Sequence, residues 1–260
     1  MRETRRMTFW DCNASLGRPC VGTIERCDSA DDLLAEMEWV GVERALVWHA
    51  LMRDQSPVVG NAVLAEAIRG RERLIGSWAI LPPQTGELPA GEAFFEAMAQ
   101  NGIKALWALP RLHRYRLTRS TFGGFLDAVS ERRIPLLLRR EVGGDEPGDS
   151  YDLVELLCGA YPELTVILTG SGSWGEDRLF RPLLELYPRL HIELCHYELD
   201  CGLRELVRRY GPARFLFGSD YPASAMGGAF MLVRGAKLAW DEREAVSAGN
   251  LKRLLGEVKL

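Results

Sequence analysis

The stretch LTVILTG (164–170) is almost continuously apolar and does not alternate between apolar and polar residues. The stretch IPLLLR (134–139), upstream of it, has the same character. Strands that face solvent on one side alternate, whereas strands of a parallel sheet covered by helices on both faces are apolar throughout. These two stretches therefore predict strands inside an α/β fold.

Six further apolar runs bring the number of predicted strands to eight, and amphipathic stretches lie between the runs. Eight strand–helix units in 260 residues fit a closed (β/α)8 TIM barrel. We predict one such domain over residues 1–260, and a doubly wound open sheet is the alternative. The six other runs are MTFWDCNAS (7–15), RALVWHA (44–50), LIGSWAIL (74–81), IKALWAL (103–109), LHIELC (190–195) and ARFLFGSD (213–220).

Residues at the ends of the amphipathic stretches support the predicted helices. DDLLAEMEWVG (31–41) starts with two acidic residues, which complement the helix dipole, and closes on Gly41, a common helix terminator. Gly102 closes the stretch 93–102 in the same way. DEREAVSAGNLKRLLGEV (241–258) predicts one final amphipathic helix.

The composition indicates an ordinary globular protein, with 47% hydrophobic and 26% charged residues. A net charge of -4 gives no sign of a nucleic-acid or membrane partner. No stretch has the roughly 18 apolar residues that a membrane helix needs, and no signal peptide is evident. We expect a small-molecule ligand as the partner, and a homo-oligomer stays open.

The six cysteines include no pair spaced as CxxC. A disulfide framework in so long a chain without a signal peptide is not expected. We therefore predict reduced thiols and a cytoplasmic location, and a zinc cluster of the finger kind is not indicated.

The most specific motif is FLFGSDYP (215–222), followed by AGNLKRLLG (248–256). Together they resemble the metal-dependent hydrolases of the amidohydrolase superfamily, in the branch that also holds carboxymuconate-semialdehyde-type decarboxylases. Weaker matches, such as NGIKALWALP (101–110), follow in the family's order along nearly the whole chain. The resemblance implies a barrel with a hydrolase or lyase site at its C-terminal face.

The first strand departs from the family's pattern of metal ligands. Members of the family carry Asp-x-His-x-His-x-Gly there, and this chain has the matching Asp11 and Gly17. Asn13 and Ser15 stand in place of the two histidines. Asparagine and serine bind metal ions only weakly. We therefore interpret Asn13 and Ser15 as candidates for binding a small molecule at the mouth of the barrel.

Later strands have lost further metal ligands. The family's histidines on the fifth and sixth strands correspond to Arg139 and Gly170, and only the aspartate of the eighth strand survives, as Asp220. A catalytic zinc needs at least three protein ligands, and an arginine repels a cation. The sequence therefore predicts no metal and no other cofactor.

Arg139 and Asp220 are both predicted to point inward at the C-terminal face. A lone buried carboxylate is costly, and a guanidinium can satisfy it bidentately. We predict that Arg139 takes the vacated metal position and pairs with Asp220. The alternative is that Arg139 points to solvent and Asp220 caps a turn.

Two histidines are candidates for acid–base chemistry beside Asp220. His49 ends the second predicted strand and His196 follows the seventh, so either side chain can reach the barrel mouth. A hydrogen-bonded structural role is the alternative for each. Trp107 and Trp174, near strand ends, are candidates for an aromatic ligand-binding wall, although core packing explains tryptophans equally well.

Cysteine-based alternatives are weaker. A rebuilt metal site from Cys12, His49, His196 and Asp220 requires convergence from four strands. A nucleophilic Cys195 beside His196 is not favoured, because neighbours on a strand point to opposite faces. We expect buried, inert thiols at both cysteines.

Three functions stay open. The favoured one is binding of a small ligand, for which an anion is one candidate, at the C-terminal face without metal-dependent hydrolysis. The second is a metal-independent hydrolase or decarboxylase-type lyase that uses His49, His196 or Asp220 as acid or base. The third is a hydrolase or lyase with a rebuilt metal site. Whether the chain is an enzyme is thus undecided by the sequence.

Overall fold

The computed structural model describes residues 7–20, 22–140, 149–172, 175–199 and 201–260. Within them, eight parallel strands follow one another in chain order around a barrel. The predicted fold is therefore confirmed, and the open doubly wound sheet is excluded by the strand order. The strands are β1 (Trp10–Leu16), β2 (Arg44–His49), β3 (Leu74–Ala79), β4 (Ile103–Ala108), β5 (Leu136–Arg139), β6 (Val166–Thr169), β7 (Leu190–Glu193) and β8 (Phe215–Leu216).

Helices cover the outside of the strands. The helices of the described residues are α1 (Ala30–Val40), α2 (Ala50–Asp54), α3 (Pro57–Ile68), α4 (Glu92–Gln100), α5 (Arg119–Glu131), α6 (Asp149–Ala160), α7 (Asp177–Leu186), α8 (Gly202–Tyr210), α9 (Met226–Gly235), α10 (Trp240–Glu244) and α11 (Asn250–Gly256). In that part of the chain, no helix is both long enough and apolar enough to cross a membrane.

The barrel closes between its first and last strands. The Cys12 N–H donates to the Phe217 carbonyl at 3.0 Å, and the Ser15 N–H donates to the Tyr221 carbonyl at 2.8 Å. The segment after β8 thus continues alongside β1 and brings Asp220 to the C-terminal rim. Every residue of β6 is buried, as its unbroken apolar run predicts.

Local signals set the helix ends. Ser29 caps α1 in a capping box with Asp32, and Gly41 ends the helix in the left-handed conformation with φ +92°. The final helix predicted over 241–258 is confirmed, since the chain is helical without a break from Trp240 to Gly256. A π-helical turn over Ala245–Gly249 separates α10 from α11, and periodicity alone does not reveal such a turn.

Candidate functional site

Arg139 and Asp220 form a bidentate ion pair at the C-terminal rim. Arg139 ends β5, and its Nη1 and Nη2 donate to Oδ1 and Oδ2 of Asp220 at 2.7 and 2.8 Å. Burial alone would raise the pKa of Asp220, but hydrogen bonds from His196 and Arg139 outweigh it and hold that pKa below its usual value. The predicted pairing is confirmed, and the solvent-facing alternative for Arg139 is excluded.

His196 shares the same carboxylate. It follows β7, and its Nε2 lies 3.4 Å from Oδ2 of Asp220. The hydrogen bond with Asp220 raises the pKa of His196, against the lowering effect of burial. The structure therefore brings together two of the three residues predicted for acid–base chemistry.

Asn13 completes the surroundings of Asp220. Its Nδ2 donates to Oδ1 of Asp220 at 3.4 Å, and its Oδ1 accepts from Nε1 of Trp48 at 3.3 Å. The amide is thereby oriented with its donor toward the carboxylate. Ser15 does not join this group, because its hydroxyl donates to the Tyr221 carbonyl at 3.3 Å and so helps to close the barrel.

Two other predicted site residues make hydrogen bonds within the scaffold. Nδ1 of His49 accepts from the Leu51 N–H at 3.2 Å and so caps α2, and burial lowers the pKa of His49. Trp107 is buried and donates to the hydroxyl of Ser77 at 3.0 Å. These contacts favour the structural alternatives for both residues. Trp174 lies outside the described residues.

Asp11 has a role that the motif comparison did not predict. Its Oδ1 accepts from the N–H groups of Asn13 and Ser219 at 2.9 and 3.0 Å, and its Oδ2 accepts from the Ser219 hydroxyl. Burial raises the pKa of Asp11 to about 6. The side chain ties β1 to the segment after β8 and so fixes the backbone that carries Asp220.

Glu193 is a second acidic residue that the sequence reasoning missed. It is fully buried at the end of β7, where its Oε2 accepts from the Gly170 N–H at 2.9 Å and its Oε1 from the Cys195 N–H at 2.5 Å. Burial raises its pKa to about 7. A charged residue inside the apolar run LHIELC (190–195) was the available signal.

The structure corrects the prediction made for Cys195. The prediction that Cys195 and His196 point to opposite faces was wrong, because β7 ends at Glu193 and strand alternation no longer applies beyond it. Ligand atoms of Cys195, His196 and Asp220 all lie within 4.8 Å of one another. Burial raises the pKa of the Cys195 thiol well above its usual value, which favours an unreactive thiol.

The metal that the family resemblance implies does not fit the corresponding positions. Asn13 is engaged by Trp48, and Gly170 offers no side chain. Arg139 places a fixed positive charge directly on Asp220. We therefore derive no step through a metal at these positions.

The basic groups of the site are more exposed to solvent than its carboxylates. The side chains of Arg139 and His196 are 26% and 34% exposed, whereas Asp220 is 4% exposed. Glu193 and Asp11 are completely buried. The solvent side of the group therefore presents N–H donors, with the carboxylates behind them.

The barrel resembles solved structures over nearly its whole length. A dihydroxybenzoic acid decarboxylase from Polaromonas sp. JS666, with bound manganese and 2-nitroresorcinol, gives a TM-score of 0.76 at 13% identity over 96% of this chain and 97% of that chain. A 2,6-dihydroxybenzoate decarboxylase from Rhizobium gives 0.75 at 16% identity over 96% and 99%. A protein described as amidohydrolase II gives 0.66 at 14% identity over 95% and 99%.

At these identities the similarity shows a shared fold. The predicted resemblance in fold to amidohydrolase-type and decarboxylase barrels is confirmed. No protein-family model matches the sequence. No curated protein matches it either.

Proposed function

We propose that this chain binds a small organic carboxylate at the C-terminal face of the barrel, with Arg139 as the fixed cation and without a metal-dependent hydrolysis. The observation that carries the proposal is the position of Arg139. Its guanidinium is anchored to Asp220 by two hydrogen bonds and remains partly exposed at the rim.

Arg139 has N–H donors that Asp220 does not use. A guanidinium has five N–H groups, and Asp220 takes two of those of Arg139. His196, held beside the same carboxylate, is also partly exposed. A carboxylate is the ligand class that matches a planar, partly occupied guanidinium next to an imidazole.

A decarboxylase-type lyase is the second candidate. Two of the structural neighbours are decarboxylases of dihydroxybenzoic acids, and such substrates are small carboxylates. In this reaction the bond between carbon and the carboxylate breaks, carbon dioxide leaves, and a proton is delivered to the carbon. We propose His196 as the group that delivers it, since it combines partial exposure with an anchoring carboxylate.

Binding is tested with the pair 2,6-dihydroxybenzoate and resorcinol, which differ only by the carboxylate. Calorimetric titration in the presence of EDTA should show binding of the acid and at least tenfold weaker binding of resorcinol. Arg139→Gln should lower affinity for the acid at least tenfold. The matched control Arg209→Gln, at an exposed ion pair with Glu185, should leave affinity unchanged.

Equal affinity for the acid and for resorcinol would contradict the proposal, as would an Arg139→Gln variant that binds the acid like the parent. Formation of resorcinol from the acid in the same EDTA buffer tests the second candidate. Loss of that formation in His196→Asn, with acid binding retained, supports catalysis. Binding without resorcinol formation leaves the first candidate standing and rejects decarboxylation of this acid.

A further inference from the structure

We infer that Cys195, His196 and Asp220 form a site for a zinc-like divalent cation, and that Arg139 controls its occupancy. The inference does not depend on the carboxylate-binding proposal. Two of the three ligands, Cys195 and His196, come from the turn after β7 rather than from the positions of the family's metal ligands.

The three ligand atoms are already close together. Sγ of Cys195, Nε2 of His196 and a carboxylate oxygen of Asp220 lie within 4.8 Å of one another. Zinc bound at about 2.0–2.3 Å from each ligand places neighbouring ligand atoms roughly 3–4 Å apart. The atoms therefore need to approach by about an ångström, and water would supply the fourth ligand.

The scaffold restricts the ligands to this neighbourhood. β7 and β8 are paired in parallel, with Ile192 opposite Phe215 and Glu193 opposite Leu216. Residues shortly after these two strands consequently emerge side by side at the same rim. One thiol, one imidazole and one carboxylate constitute a donor set that zinc accepts.

Glu193 orients the sulfur ligand. Its Oε2 accepts from the Cys195 thiol at 3.0 Å, and its Oε1 accepts from the Cys195 N–H at 2.5 Å. The carboxylate thereby orients the sulfur, but its negative charge disfavours the thiolate, so the cation has to displace the thiol proton. When the sulfur bonds to the cation, the thiol proton passes to solvent, so charge and atoms balance.

Arg139 opposes the cation. Its guanidinium holds both oxygens of Asp220, so a divalent ion gains an oxygen of Asp220 only when the guanidinium withdraws. Two positive groups at one carboxylate also repel each other. Removal of the guanidinium should therefore increase cation affinity, whereas it should decrease carboxylate affinity.

The test uses Co²⁺ as the probe, because a cobalt–thiolate bond gives a near-ultraviolet charge-transfer band. Arg139→Met should develop the band at a free Co²⁺ concentration at least tenfold lower than the parent protein. Added Zn²⁺ should remove it. Arg139→Met with Cys195→Ser should lack the band, and Arg139→Met with Cys20→Ser, at an exposed cysteine, should keep it.

Circular dichroism establishes that each variant is folded. If Arg139→Met is not folded, the parent protein and Cys195→Ser are compared at saturating Co²⁺, and the band should appear only in the parent. Absence of the band from a folded Arg139→Met, or its persistence after Cys195→Ser, would overturn the inference. These titrations contain no carboxylate ligand and the carboxylate titrations contain EDTA, so each proposal can fail without the other.

Discussion

Both carboxylate oxygens of Asp220 are held by Arg139, at 2.7 Å from Nη1 and 2.8 Å from Nη2, across the barrel from β8 to β5. Asp220 is at the same time the residue that the family resemblance assigns to a metal. In this chain the positive charge that faces Asp220 is covalently attached to the scaffold. The pair consequently contributes both to the stability of the rim and to the polarity of the site.

Arg139→Met should lower the free energy of unfolding by about 2–3 kcal/mol, because it leaves a buried carboxylate with only weaker partners. The effect should be smaller than for a fully buried pair, since Arg139 is 26% exposed. Urea unfolding measures it. Arg209→Met, at an exposed pair with Glu185, should cost much less, because solvent screens that pair. Equal decreases in the free energy of unfolding for the two variants would show that the Arg139–Asp220 pair stabilises the protein no more than an exposed ion pair does.

Much of the fold follows from local sequence signals. Each of the eight apolar runs overlaps a strand, because a strand covered on both faces has to be apolar along its whole length. The Arg139–Asp220 contact was also predictable, since both residues end or follow strands of a parallel barrel and an inward carboxylate requires a partner.

The rest of the site depends on geometry that a linear pattern does not encode. Cys195 and His196 lie in a turn, where side-chain directions are set by backbone torsions and not by alternation. The engagement of His49 as a helix cap likewise depends on the start of α2 directly after β2. Whether Asn13, Ser15 and Trp107 contribute to ligand binding remains a prediction.

His49 should act through the cap of α2 and not through chemistry. His49→Ala should cost about 1 kcal/mol of stability, because the Leu51 N–H loses its acceptor, whereas His49→Asn keeps an acceptor and should cost less. Thermal unfolding gives the stabilities. Titration with 2,6-dihydroxybenzoate should give the same affinity for both variants as for the parent, and a tenfold loss in His49→Asn would instead place His49 in the site.

His191 should make the protein sensitive to acid. Burial, with help from Arg214 and Arg253, lowers its pKa from 6.5 to about 3, so the folded protein does not take up the proton that the unfolded chain takes up. Stability from this residue is therefore present above pH 6.5 and is lost as the pH falls toward 3.

The variant His191→Gln isolates that effect. Relative to the parent, it should become more stable by about 2–3 kcal/mol on going from about pH 7.5 to about pH 4.5. Urea unfolding at the two pH values measures the change. The raised pKa values of Asp11 and Glu193 have the opposite sign and cancel in the comparison. A parent–variant difference that does not change with pH would show that His191 titrates normally.

Gly218 is required by the space that Glu193 occupies. A Cβ built at Gly218 would lie 2.5 Å from Cγ and 2.6 Å from Oε1 of Glu193. The buried carboxylate has little room to withdraw, and movement would break its bonds to the N–H groups of Gly170 and Cys195. Gly218→Ala should therefore cost about 2–3 kcal/mol, as overpacking of a filled core does.

The matched control is Gly228→Ala in α9, where a Cβ meets no atom within 4 Å. It should be neutral or stabilising by up to about 1 kcal/mol, because alanine favours a helix over glycine. Glu193→Ala combined with Gly218→Ala should cost less than the sum of the two single changes, since the first removes the group that the new methyl meets. If the two costs are additive in urea unfolding, Gly218 is required for its backbone conformation. The space that its missing Cβ leaves for Glu193 would then not be the reason.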